Sequence, residues 1–234
     1  GQINTAIRSH KNIFGTQPLG IWLPECAYYE NLDQLLFNSG IRYAVLDSHG
    51  VLNASPRPRY GVYAPICSTK GVAFFGRDNE STLPVWSAKD GYPGDSVYRE
   101  FHKDLGWELP TSKLREKDIP CSRPLGLKYY KITNDKLSLG KKEFYIENDA
   151  KRKVEEHADS YLLARSKQLE NLSLSSSFEP LLIAPFDAEL FGHWWYEGPS
   201  FIENILEKSI KYSIKMTTLR EFLLQKPNLQ ICDP

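Results

Sequence analysis

The chain lacks a surplus of either charge: 29 lysines and arginines face 29 aspartates and glutamates. With no basic or acidic excess there is no long-range field to gather nucleic acid or an anionic membrane, and a neutral substrate is the better match. No apolar run approaches the roughly 20 residues that span a bilayer. Cysteine is sparse as well. Cys26, Cys67, Cys121 and Cys232 are far apart and show no Cys-x-x-Cys spacing, which excludes a disulfide-dense scaffold and a paired-thiolate metal site. Reduced thiols and a cytoplasmic setting are expected. Internal repeats and low-complexity segments are also missing. What remains, 41% hydrophobic and 25% charged over 234 residues, is enough for one soluble domain with a sizeable core.

Two carboxylates stand out against this ordinary background. Glu25 follows the short apolar run Gly20-Ile21-Trp22-Leu23, and Asp187 follows Leu181-Leu182-Ile183-Ala184, in the aromatic-rich stretch Phe186 to Gly198. In α/β barrels, residues at the C-terminal ends of different strands converge on one mouth, so acids far apart in the chain become neighbours. Two acids flanking a sugar bond suffice for acetal chemistry, and aromatic rings beside them offer stacking surfaces for sugar faces. Periodicity alone does not divide the roles of nucleophile and proton donor. Glu189, two residues beyond Asp187, is a rival acid, although a structural hydrogen-bonding role suits it better. Asp47 and His49 follow the apolar run Ile41 to Leu46 and would reach the same mouth. They are also two candidate zinc ligands, but a zinc site needs at least a third, and no metal or cofactor is expected.

Trp22-Leu23-Pro24-Glu25-Cys26-Ala27-Tyr28 and Asp187-Ala188-Glu189-Leu190-Phe191-Gly192-His193-Trp194-Trp195-Tyr196-Glu197-Gly198 resemble the third and fourth conserved regions of glycoside hydrolase family 57. They are most like those of its 1,4-α-glucan branching enzyme subgroup. Asp47-Ser48-His49-Gly50, Gly61 to Ile66, Phe75-Gly76-Arg77-Asp78 and Gly91 to Asp95 read the same way, so the resemblance covers most of the chain. It implies a retaining mechanism with Glu25 as nucleophile and Asp187 as acid/base, and α-glucan donor and acceptor chains as partners. Asp47 and His49 would hold sugar hydroxyls. The full set expected to touch glucan is Trp22, Asp47, His49, Trp107, His193, Trp194 and Trp195. Phe186, Phe191, Trp194 and Trp195 are candidates to desolvate Asp187. The family's first strand, with its His-Gln-Pro segment, and its later helical domain have no counterpart here, and no initiating Met is present. The expectation is an internal fragment, residues 1–234, holding the middle and later part of a (β/α)7 barrel and completed by missing parts of the parent chain. Amylase or 4-α-glucanotransferase activity is the nearest alternative. A metal-dependent deacetylase and a non-catalytic glucan-binding protein are more distant ones.

The pattern of elements agrees with an α/β chain. Ile3 to Phe14 reads as helix, Asn31 to Ser39 as a short helix with Leu32, Leu35 and Leu36 on one face and Gly40 at its end, and Ile41 to Leu46 as a buried strand. Prolines break residues 50–146 into short runs such as Val72 to Phe75, expected as an inserted excursion with small strands and helices that roofs the barrel mouth. Glu147 to Leu172 is helical by spacing, a Ser-rich turn follows at Ser173 to Ser177, and Pro180 to Ala184 reads as a strand. Pro199 opens a helix with Phe201, Ile202, Ile205 and Ile210 on its apolar face, and Thr218 to Glu221 has capping-box spacing. His157 reads as a satisfied core histidine, and Cys26 as a small buried residue rather than a catalytic thiol.

Overall fold

In the computed structural model, residues 1–87, 89–134, 136–174 and 178–234 are described. Ser175 to Ser177 of the expected Ser-rich turn lie outside them. The residues group into two compact units, one of Gly1–Thr82, Gln168–Pro185 and Met216–Pro234, the other of Leu83–Lys167 and Phe186–Lys215.

The first unit is built on a five-stranded mixed sheet in the order β1 (Gly20–Trp22), β2 (Tyr43–Leu46), β4 (Ala73–Gly76), β3 (Ile66–Cys67), β5 (Gln230–Ile231). β1, β2 and β4 run parallel, with Ile21 opposite Ala44 and Ala44 opposite Phe74. β3 is antiparallel to β4 and parallel to β5. Side chains alternate across a strand, and here both faces are covered. Ala44, Leu46 and Phe74 join a core with Leu32, Leu36 and Val51, while Val45 and Phe75 pack with Cys26, Ile183 and Phe222. Double burial is why these strands read as unbroken apolar runs. Gly20 is required by contact: a Cβ there would meet the Tyr43 ring at 2.0 Å.

Helices α1 (Gln2–Phe14), α2 (Leu32–Asn38), α3 (Ser48–Leu52) and α9 (Leu219–Gln225) belong to this unit. Gly40, at φ 86°, closes α2 as expected, and Leu32 and Leu36 are buried. Leu35 is half exposed at the edge of their face, since it lies about 60° from Leu32 but about 100° from Leu36 around the helix. α9 begins with the complete capping box, Thr218 and Glu221 exchanging bonds at 3.2 and 3.1 Å.

Two expectations fail in this unit. Residues 50–146 do not form one excursion, because their strands β3 and β4 belong to the main sheet and β4 is an inner strand, paired on both sides. Its four residues are all buried, and that burial outweighs the local density of prolines. Pro180 to Ala184 is not a strand. It is tied to its neighbours by Leu181 N–H to Tyr63 O at 2.9 Å and Asp78 N–H to Ile183 O at 2.8 Å, and Pro180 and Pro185 have no N–H to extend a ladder.

The second unit holds no ladder among the described residues, only isolated bridges such as Arg99 to Lys131 and Tyr130 to Phe144. Its core is aromatic: Tyr98, Trp195 and Phe201 are essentially buried and pack with Val154, Ala158 and Leu162 of α7 (Glu147–Leu174) and Ile205 of α8 (Gly198–Lys208). Pro199 stands in the first turn of α8 as expected. Ile210 does not extend its apolar face; it lies in the following 3-10 turn and is 84% exposed. Buried polar groups pin the loops. Asp104, ahead of α5 (Leu105–Glu108), accepts the backbone N–H groups of Gly106, Leu125 and Gly126 at 2.8 to 2.9 Å. The Lys142 ammonium donates to Ile132 O and Asn134 O at 2.7 and 2.8 Å and pairs with Glu100 at 3.0 Å.

Candidate active site

Parallel pairing of β1, β2 and β4 puts their C-terminal ends on one edge of the sheet. Glu25 comes three residues after β1, Asp47 one after β2 and Arg77 one after β4. The geometry ties them together. Arg77 Nη1 is 3.6 Å from Asp47 Oδ2, its Nη2 is 3.4 Å from Cys26 Sγ, and Asp47 N–H donates to Cys26 O at 3.4 Å. Glu25 lies in the 3-10 turn Pro24–Cys26 with its side chain exposed, and both it and Cys26 have φ 53°. Non-glycine residues rarely occupy this left-handed region, at about 1–3 kcal/mol each. Such strain clusters at functional sites.

Asp47 stands at the N-terminal boundary of α3, makes no side-chain capping bond, and is partly exposed. Burial works to raise its pKa, but the Ser48 hydroxyl at 3.0 Å, the Arg77 charge and His49 Nδ1 at 3.3 Å prevail and hold it below the usual carboxylate range. Asp47 is therefore held as a carboxylate, able to accept hydrogen bonds from hydroxyl groups. His49 is exposed, and Trp22, 38% exposed, directs its indole N–H into Cys26 Sγ at 3.0 Å. Cys26 is buried, in the packing role expected of it. Among the described residues no group of three or more His, Cys, Asp or Glu side chains stands close enough to hold a metal ion.

Asp187 belongs to the second unit, where it opens the 3-10 turn Ala188–Leu190 with its side chain exposed. The expected desolvation by neighbouring aromatics is not found there. Phe186 and Phe191 lean onto the aromatic core and Trp195 is inside it, its ring 4.9 Å from Phe201 and 5.5 Å from Tyr98. At 2% exposure Trp195 has no free face for a sugar, a correction to its expected stacking role. The reason is local: Trp194 and Trp195 fall on opposite sides of a tight turn in which Trp195 N–H bonds Leu190 O at 2.8 Å. Trp194 is half exposed, lies with its ring centroid 4.5 Å from that of Phe101 at a 34° tilt, and donates its indole N–H to Glu189 at 3.2 Å. Glu189 is thereby engaged as a hydrogen-bond acceptor.

His193 is exposed beside Phe101, and Trp107 is 56% exposed on α5. A cleft of about 320 Å³ opens between Trp86, Phe101, Trp194, Glu100 and Lys142. Neither Phe101 nor Arg77 is evident from the sequence as a site residue. For Arg77 a signal exists, since it follows the apolar run Val72 to Phe75 just as Asp47 follows Ile41 to Leu46. Phe101 has none, because it reaches the cleft by loop packing. His157 is satisfied in the core, bonding the Tyr98 hydroxyl at 2.8 Å, with burial holding its pKa down against the pull of Asp95. Burial raises the Glu197 pKa, although the Arg99 N–H donates to that carboxylate at 3.0 Å.

This arrangement has counterparts. A 1,4-alpha-glucan branching enzyme of Thermococcus kodakarensis is 32% identical over 95% of this chain and 34% of its own length. The alpha-amylase AmyC of Thermotoga maritima superposes with a TM-score of 0.94 at 38% identity, over 100% of this chain and 46% of that one. A GH57-type branching enzyme of Pyrococcus horikoshii gives 0.82 at 31% identity, over 98% and 42%. The chain thus spans about a third of the curated relative's length and under half of each solved chain. The alpha/beta fold with a mixed sheet is shared with these enzymes. The model of the family described as glycosyl hydrolase family 57 matches residues 1–232, and the chain belongs to that family.

Proposed function

We propose that this chain carries the catalytic acids of a retaining enzyme acting on α-1,4-glucans, and that the reaction is branching through new α-1,6 links. The observation that carries the reading is the seat of Glu25: an exposed carboxylate in a left-handed turn at the C-terminal edge of three parallel strands, beside the ionised Asp47. Glu25 is the nucleophile. It attacks the anomeric carbon while Asp187 protonates the departing glycosidic oxygen, leaving a glucosyl ester on Glu25. Asp187, now a carboxylate, then takes the proton from the 6-hydroxyl of an acceptor chain, which attacks the ester from the opposite face and restores the α configuration. A retaining pair of this kind works at a carboxyl separation of roughly 5–5.5 Å. Asp47 and His49 orient sugar hydroxyls, and Trp22, Trp107, His193 and Trp194 supply contact surface for donor and acceptor glucans. Parts of the family fold beyond this chain complete the acceptor groove. The four free cysteines support a cytoplasmic setting.

Hydrolysis is the second reading, favoured by the higher identity and superposition to the Thermotoga amylase. Both reactions share the glucosyl-enzyme and differ in whether water or a sugar hydroxyl reaches it first. Linkage analysis of amylose treated with the full-length protein separates them: new α-1,6 links indicate branching, and short linear maltosaccharides indicate hydrolysis. In either case Glu25→Gln lowers kcat by at least about 10³-fold and leaves glucan binding intact, because shape is kept and the attacking charge is lost. An active Glu25→Gln enzyme overturns the assignment.

A further inference from the structure

The Glu25 side chain has no hydrogen-bond partner among the described residues, so its aim is set by its backbone. That backbone is an unfavourable one, with Glu25 and Cys26 in succession at φ 53°. The turn's own bonds, Cys26 N–H to Leu23 O at 2.9 Å and Ala27 N–H to Pro24 O at 3.0 Å, are those of any tight turn and do not select the left-handed form. What distinguishes this turn is the set of groups converging on Cys26. Its sulfur receives the Trp22 indole N–H at 3.0 Å and an Arg77 Nη2–H at 3.4 Å, and its carbonyl receives the Asp47 N–H at 3.4 Å.

Arg77 connects these contacts. Its backbone N–H donates to Leu46 O at 2.9 Å, which fixes where the side chain starts, and its second Nη lies 3.6 Å from Asp47 Oδ2. One rigid guanidinium thus links the turn after β1 to the residue after β2. The planar fork makes this possible, and the point charge of a lysine does not reproduce it. The Cys26 thiol suits the acceptor position because it is small enough to be buried while its sulfur accepts two N–H groups.

We propose that Arg77 is a positioning residue for Glu25, acting through Cys26 and Asp47 to hold the left-handed turn that presents the carboxylate. The inference rests on the reading of Glu25 as nucleophile. It requires kcat to depend on the clamp while substrate affinity does not. A misaimed nucleophile lowers the rate of the chemical step, by up to about 10²-fold for a displacement near 1 Å.

The test uses the full-length protein with Arg77→Met, Arg77→Lys, Cys26→Ser, Cys26→Ala and Glu25→Gln, measuring kcat and KM on amylose. Alkylation of each cysteine by iodoacetamide, mapped by peptide, gives a second readout that does not depend on activity. Arg77→Met and Arg77→Lys lower kcat by about 10- to 100-fold with KM within about twofold. Cys26→Ala does the same, and Cys26→Ser, which restores an acceptor, keeps most of the rate. Cys26 alkylation speeds up by about tenfold or more in Arg77→Met as the turn opens locally, while the fully buried Cys232 stays protected. If Cys232 also reacts in Arg77→Met, that variant has unfolded and Arg77→Lys decides. Wild-type kcat in Arg77→Lys, or a raised KM at unchanged kcat, overturns the proposal. So does Cys26 protection equal to wild type in a folded Arg77 variant. Inactive Glu25→Gln beside a fully active Arg77→Lys defeats the positioning role alone; an active Glu25→Gln defeats the nucleophile reading and the role with it.

Discussion

The two units hold their shape by different means. In the sheet unit, three parallel strands with both faces covered fix where each strand ends, and Glu25, Asp47 and Arg77 follow from that register. In the other unit, long loops are fastened to an aromatic core by buried charges: Asp104 on three backbone N–H groups, Lys142 on two carbonyls and Glu100, Lys103 on Leu139 O and Glu108. A backbone ladder spreads its stability over many equivalent bonds. A polar pin concentrates it in a single side chain whose loss leaves several buried donors unpaired. The strand ends of the first unit are thus held by many bonds, whereas the turn that carries Glu25 and the loops of the second unit each lean on single side chains.

The comparison sharpens first at the paired tryptophans. Trp195→Ala removes a ring from the centre of the aromatic core and is expected to cost about 3–5 kcal/mol, whereas Trp194→Ala, on the half-exposed neighbour, costs under about 1 kcal/mol. Chemical denaturation of the full-length protein measures both. On the proposed glucan contact of Trp194, its variant is expected to show its effect in glucan affinity instead. Equal destabilisation by the two would mean that the turn, not the buried ring, organises this unit.

A smaller effect compares a pin with a cap. Asp104→Ala strands three backbone donors and is expected to cost about 3 kcal/mol at neutral pH; Thr218→Ala, at the capping box of α9 in the sheet unit, costs about 1 kcal/mol. The Asp104 value carries a pH signature. Burial tends to raise its pKa, but the bonds from Leu125, Gly106 and Gly126, with the nearby Lys128 charge, prevail and lower it. A carboxyl whose folded pKa lies below its unfolded one lends stability that is complete above the unfolded value and is lost as pH falls through the folded value. The gap between wild type and Asp104→Ala therefore narrows in acid, while the Thr218→Ala gap does not. A gap for Asp104 that is flat with pH would show that the carboxylate charge contributes nothing to the pin.

The same contrast decides what the sequence discloses. β2, α2, α7, the capping box and the Pro199 helix start are legible because burial and capping leave a periodic or local trace. Glu25 and Asp47 are legible as acids just past apolar runs. The Pro180 to Ala184 run misleads because apolar content does not supply the N–H groups that its flanking prolines lack. The run Val72 to Phe75 is visible among the prolines, but its place as an inner strand of the sheet is not, since pairing on both sides is a long-range fact. The inward turn of Trp195, the role of Phe101 and the clamp on Cys26 depend on contacts between residues distant in the chain, which no local pattern records.

The most direct measurement of the central claim is to trap the glycosyl-enzyme. In the full-length protein, Asp187→Ala removes the acid/base, and a glucosyl fluoride, whose leaving group needs little protonation, still loads the nucleophile while the second step stalls for want of a base. Peptide mapping by mass spectrometry should then find one hexose unit on the peptide carrying Glu25, and added azide should release it as the α-glucosyl azide. A hexose on a different acid, or a β-azide product from an enzyme with Glu25 unmodified, would contradict the account.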